Sequence, residues 1–89
     1  MLLHPDEIKK SVEPLGWLYS DKCVVKSFSF ESYRDAVNFA MSVSELAERA
    51  DHHPKLIIDY MEVAIEISSH SLGGVTTKCI NLANSIDSL

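Results

Sequence analysis

Three of the chain's four histidines fall between Glu48 and His70, in the run Glu48-Arg49-Ala50-Asp51-His52-His53-Pro54 and again at Ser68-Ser69-His70. Imidazole titrates close to neutral pH, so histidines gathered in one place suit general acid–base catalysis, which typically contributes about 100- to 10,000-fold. Local rules say how they would be held. Pro54 disfavours the α conformation at His53, so a helix arriving from Met41 or earlier should stop near His52, with the chain extended beyond it. In a helix that reaches His52, Glu48 lies one turn back. Its carboxylate and the negative end of the helix dipole both favour the imidazolium, so His52 is expected to titrate above its free value, as a proton donor would.

Beyond Pro54, residues Lys55 to Ser69 alternate like a β-hairpin. A two-residue turn at Met61-Glu62 pairs Tyr60 with Val63, Ile58 with Ile65 and Leu56 with Ile67 on an apolar face. The same register pairs Asp59 with Ala64, Ile57 with Glu66, Lys55 with Ser68 and finally His53 with His70. A one-residue slip would mix the two faces. His53 and His70 are thus expected opposite one another on the less apolar face, with Tyr60 in the core. Taken alone, three histidines also fit a solvated or structural role. Three can bind a catalytic zinc too, but His52 and His53 are adjacent on an extending chain and point apart, which makes a shared metal awkward.

The pattern Glu48-x3-His52-His53-Pro54-x5-Tyr60-x9-His70 resembles the signature of the pterin-4a-carbinolamine dehydratases. Gly16-Trp17, Phe28-x-Phe30-x2-Tyr33-x2-Ala36-x2-Phe39, Gly73-Gly74-Val75-Thr76 and Asn81-Leu82-Ala83 resemble the family's spacing as well, so the likeness covers nearly the whole chain. It implies dehydration of 4a-hydroxytetrahydrobiopterin to the quinonoid dihydropterin plus water, in tetrahydrobiopterin recycling or a related pterin pathway, without cofactor or metal. It also implies that His52 and His70 are the acid–base pair, that His53 contacts the pterin, and that Glu48 orients His52. Pro54 and the backbone of Ser69, His70, Ser71 and Leu72 would line the pocket, and the chain would form a homodimer or homotetramer. A non-catalytic reading stays open, since some relatives of that family serve as dimerisation cofactors for a homeodomain transcription factor. One position departs from the pattern: where it expects an aspartate, in His70-x8-Asp, this chain has Cys79. Thr76-Thr77-Lys78-Cys79 stands where a helix begins, so that residue is expected to cap the helix. Its loss would cost on the order of 1 kcal/mol of stability rather than the chemistry.

The elements that must position these residues follow from the rest of the chain. His4-Pro5-Asp6-Glu7 opens a first helix through Ile8, Val12 and Leu15, ended by Pro14 and Gly16. A first hairpin has Trp17-Leu18-Tyr19 before a turn at Ser20-Asp21-Lys22, and Cys23 to Phe30 after it, with Val24, Phe28 and Phe30 on one face. Ser32-Tyr33-Arg34-Asp35 is a capping box opening a helix to about His52. Its apolar positions form two rows, Tyr33, Val37, Ala40 and Ala47 beside Phe39, Val43, Leu46 and Ala50, with Ala36 and Met41 near them, wider than one sheet face requires. The surplus either packs against another subunit or is core. After the second hairpin, Val75, Cys79, Ala83 and Ile86 mark a third helix. The order α-β-β-α-β-β-α predicts an α+β fold: one four-stranded antiparallel sheet with three helices on one face.

Eighty-nine residues suggest a single domain, 1–89, small enough to gain from oligomerisation. Eight basic against thirteen acidic residues give a net charge of -5 with no basic cluster, which argues against nucleic-acid binding. No apolar run nears the roughly 20 residues of a membrane span and no signal-peptide layout is present, so a cytoplasmic protein is expected. Cys23 and Cys79 read as buried free thiols.

Overall fold

A computed structural model describes residues 1–89, with helices α1 (Pro5–Val12), α2 (Tyr33–Ala50) and α3 (Thr77–Asp87), and strands β1 (Leu18–Ser20), β2 (Cys23–Ser29), β3 (Lys55–Asp59) and β4 (Glu62–Ile67). The four strands make one antiparallel sheet in the order β1-β2-β4-β3. This is the expected α-β-β-α-β-β-α architecture. Local chemistry explains its punctuation. The Glu7 side chain accepts from the His4 backbone N–H at 3.2 Å where α1 begins. A 3-10 turn, Glu13–Leu15, then ends at Gly16, whose φ of +87° few other residues would adopt without strain. Ser32 Oγ accepts from Asp35 N–H at 3.0 Å to start α2.

One face of the sheet is alternation made solid. Val24 from β2 and Val63, Ile65 and Ile67 from β4 are completely buried, under Val43 of α2 and Ile86 of α3. Trp17, also completely buried, meets Phe28 edge-on with centroids 6.1 Å apart, and Phe28 and Phe30 lie 4.8 and 4.9 Å from Phe39. Lys26 lies on this face too. Its ammonium escapes the apolar layer by donating to Leu15 O at 2.7 Å and to Asp87 Oδ1 at 2.9 Å. Asp87 Oδ2 accepts from the Trp17 indole N–H, also at 2.9 Å. Along α2, Ala36, Ala40, Val43 and Ala47 are buried, whereas Tyr33 and Met41 of the surplus stripe are more than half exposed.

The second hairpin forms with a register two residues away from the expected one. Asp59 pairs with Glu62, Ile58 with Val63, Ile57 with Ala64, Leu56 with Ile65 and Lys55 with Glu66, around a turn at Tyr60-Met61. An even shift keeps every side chain on its expected face, so the apolar pattern could not detect it. It moves Tyr60 from the core to the turn, where it takes a left-handed φ of +55° and is 69% exposed. It also removes the cross-strand pairing of His53 with His70: the paired strands end at Lys55 and Glu66, short of both. The open face of the sheet has a concavity of about 510 Å³ lined by residues such as Leu18, Cys23, Val25 and Ala64, and by none of the histidines.

Candidate functional site

The histidines meet at one end of the sheet, between the C-terminus of α2 and the N-terminus of α3. Two local devices bring them there. The first is the close of α2, which stops at Ala50 rather than His52. Asp51 takes a left-handed φ of +50°, its N–H bonds to Glu48 O at 3.2 Å, and His52 N–H bonds to Ala47 O at 3.1 Å. This reciprocal pair closes the helix and swings the chain inward, so that His52 becomes buried. The second device is the loop after β4. Ser69 N–H donates to Gly74 O at 2.6 Å, and Ser69 O accepts from Leu72 N–H at 3.2 Å and Gly73 N–H at 2.8 Å, with Gly73 at φ +69°. The loop holds His70 at the surface and leaves the amides of His70 and Ser71 without an intramolecular partner.

Each imidazole is tethered through Nε2. His70 Nε2–H donates to the carbonyl of His53 at 3.2 Å. His53 Nε2–H donates to the Glu48 carboxylate. His52 Nε2 lies 3.2 Å from Cys79 Sγ. A carbonyl and an ionised carboxylate can only accept, so neutral His70 and neutral His53 both carry their proton on Nε2 and present a bare Nδ1. Pro54, half-buried, ends the segment. Alongside lies a groove of about 390 Å³ lined by Ser69, Ser71, Leu72, Thr76 and Lys78 among others.

Two expectations are corrected here. Glu48 does not orient His52; it holds His53, because closure of the helix at Asp51 carries His52 off the α2 face and leaves the carboxylate to the next residue. Nor is His52 favoured as a cation. Burial, followed by the positive charge of Lys78 and the neighbouring His70 and His53, pushes it below the ordinary imidazole value. With its carboxylate spent on His53, His52 has only a thiol to lean on.

That thiol belongs to Cys79, a residue that sequence reasoning assigned to capping alone. The cap is there: Thr76 N–H donates to Cys79 Sγ at 3.5 Å. The same sulfur touches His52, which makes position 79 part of the cluster as well as part of α3. The third place of a capping box faces back over the helix start, and that is the one signal in the sequence that could have aimed it at a neighbouring group. Lys78, whose charge reaches His52, was also missed.

Fold and cluster together define a single-sheet α+β domain with three tethered imidazoles between two helix ends. The family model for pterin 4 alpha carbinolamine dehydratase matches residues 1–89. A Sulfolobus acidocaldarius protein, provisionally named pterin-4-alpha-carbinolamine dehydratase, is 37% identical over 90 residues, covering 100% of this chain and 99% of the relative. A Natronomonas pharaonis protein of the same provisional name is 40% identical over 87 residues, with coverage of 98% and 94%. Among solved structures, a "transcriptional coactivator/pterin dehydratase" from Brucella melitensis superposes with a TM-score of 0.91 at 27% identity, covering 99% of this chain and 97% of that one. A pterin dehydratase-like RuBisCO assembly factor of the alpha-carboxysome shares the fold, with a TM-score of 0.65 at 20% identity over 81% of this chain and 83% of that one. The chain belongs to the pterin-4a-carbinolamine dehydratase family.

Proposed function

We propose that this chain dehydrates a 4a-hydroxytetrahydropterin such as 4a-hydroxytetrahydrobiopterin, with His52 and His70 as the proton-transferring pair. The reaction breaks the C4a–OH bond and the N5–H bond and forms the C4a=N5 double bond. One group must give a proton to the departing hydroxyl, and another must take one from N5. The observation that carries the reading is the common tether: each ring is fixed through Nε2, so its orientation is set before substrate arrives. Such prepositioning is what proton transfer to a bound substrate requires.

The roles divide by environment. His52, buried beside Lys78 and pushed toward its neutral form, takes the proton from N5. His70 is exposed and exchanges protons with water; protonated, its Nδ1–H gives a proton to the hydroxyl. His53, held by Glu48, contacts the pterin and spreads developing charge. The free amides of His70 and Ser71, with Pro54 and Leu72 beside them, supply hydrogen bonds and an edge for the pterin ring. The exposed row that includes Tyr33 and Met41 on α2 suits packing against a second copy, giving a homodimer or homotetramer.

The test is dehydration of a 4a-hydroxytetrahydropterin generated in a coupled hydroxylase assay, for the wild type and for His52→Ala and His70→Ala. The expected result is a wild-type rate above the uncatalysed one, reduced by about 100-fold or more in either variant. A wild-type rate equal to the uncatalysed one would sink the proposal.

A further inference from the structure

The sulfur of Cys79 has three polar neighbours: Thr76 N–H at 3.5 Å, Thr76 Oγ1 at 3.6 Å and His52 Nε2 at 3.2 Å. A thiol has one proton to give and can accept from more than one donor, so these contacts saturate it. The backbone N–H can only donate, so the sulfur accepts there. The shortest contact, and the one that reaches outside the α3 cap, is to His52. Cys79 and His52 are both buried, so water does not stand in for either partner.

We propose that Cys79 is a positioning residue for His52, gripping Nε2 through an uncharged sulfur so that the ring serves as a base at neutral pH. The proposal rests on the reading of His52 as the group that takes the substrate's proton. In the arrangement that this role requires, His52 Nε2–H donates to Sγ, the thiol proton goes to Thr76 Oγ1, and Nδ1 is bare toward the substrate. Every charged or titratable group facing His52 agrees with it. Lys78 from α3, His70 from the loop after β4 and His53 from the α2–β3 connection each oppose a positive charge on the ring. The carboxylate of Glu48 on α2 is turned to His53. No anion is left to hold the imidazolium.

A carboxylate at position 79 would invert this balance. It could keep the cap, accepting from Thr76 N–H at a helix start where negative charge is welcome. It would also accept from Nε2–H and favour the cation. An opposite charge in contact typically moves such a group by about 1–3 pH units. Position 79 therefore works as a selector of the pH at which the site is active, and cysteine selects the lower setting.

The experiment combines NMR titration of His52 with the pH dependence of dehydration in wild type, Cys79→Asp, Cys79→Ser and Cys79→Ala. Ring ¹⁵N shifts report which nitrogen bears the proton. We expect Cys79→Asp to raise the His52 midpoint by at least one pH unit and to move the acid limb of kcat/KM by the same amount. Cys79→Ser, neutral and able to accept, should stay within a few tenths of a unit of wild type. Cys79→Ala, which removes the grip and keeps a small apolar side chain, should lower kcat at least tenfold with KM little changed and should leave the ¹⁵N shifts of a mixed tautomer. An unmoved His52 midpoint in Cys79→Asp would overturn the proposal, as would a wild-type kcat with wild-type ¹⁵N shifts in Cys79→Ala. If Cys79→Asp fails to fold, the alanine and serine variants decide the matter. The titration needs no turnover, so loss of the dehydratase reading and loss of this one are separable outcomes.

Discussion

Asp87→Ala tests what fixes α3 in place. Asp87 Oδ2 is the acceptor for the indole N–H of Trp17, whose side chain is completely buried, and Oδ1 pairs with Lys26. Truncation leaves a buried indole N–H without a partner, a loss of about 1–3 kcal/mol. Lys26 keeps the Leu15 carbonyl and the faces of Trp17 and Phe28, at 5.8 and 5.0 Å, but loses its counter-charge. With both ion-pair side chains about one-fifth exposed, that loss belongs near the surface value of about 1 kcal/mol rather than the several of a fully buried pair. The sum is about 2–4 kcal/mol, a large share of the roughly 5–10 kcal/mol that a domain of this size commands. In a chain of this length it should lower Tm by roughly 10–25 °C. Lys26→Met leaves Asp87 on Trp17, and its long apolar stem replaces that of lysine, so it should cost about 1 kcal/mol or less. The assay is urea unfolding of wild type, both single variants and the double variant. Should Asp87→Ala fall within 0.5 kcal/mol of wild type, or Lys26→Met cost as much as Asp87→Ala, the Trp17–Asp87 contact does not carry the load assigned to it.

Other expectations follow from the site and its supports. The folded state holds His52 below the unfolded value of about 6.5, so the stability it contributes is complete above that pH and is lost as pH falls through the lowered folded value. Unfolding measured between pH 7.5 and 5 should show a decline that His52→Gln flattens; an unchanged slope would show that another group is responsible. Asp51 carries a left-handed φ and a negative charge at the C-terminus of α2. Asp51→Gly should therefore stabilise by about 0.5–1 kcal/mol in urea unfolding, and a destabilised variant would mean that the carboxylate has a partner role. Tyr60, left-handed and exposed at the second hairpin's turn, should be replaceable by Asn with stability held or raised by up to about 1 kcal/mol. A loss larger than that in thermal unfolding would place Tyr60 in a contact the turn geometry does not provide.

How far the sequence could be read depended on which physical rule each residue obeyed. Helix starts at Pro5, Ser32 and Thr76 and the alternation of Val63, Ile65 and Ile67 are local, and these elements formed as the sequence predicts. The slip of the second hairpin was invisible because period-two alternation distinguishes only odd shifts, and Tyr60-Met61 has no Asn-Gly chemistry to mark the turn. Lys26 was passed over on a core face because its partner, Asp87, lies at the far end of the sequence. The signature positions were legible, but the charge logic among them was not. It turned on one residue, Asp51, taking a left-handed conformation that glycine usually marks, which sends Glu48 to His53 and His52 to Cys79. Nothing within one helical turn of His52 could have announced a partner 27 residues away.

Helix α3 is moored at both ends, by Cys79 to His52 and by Asp87 to Trp17 and Lys26. The eight-residue step from Cys79 to Asp87 makes a rod of about 12 Å between those moorings. Trp17 is the chain's sole tryptophan and sits at the far mooring. Its fluorescence is therefore a built-in gauge of whether the rod is docked. A ligand that tightens the histidine end should register as a change in emission at the other, with no label attached.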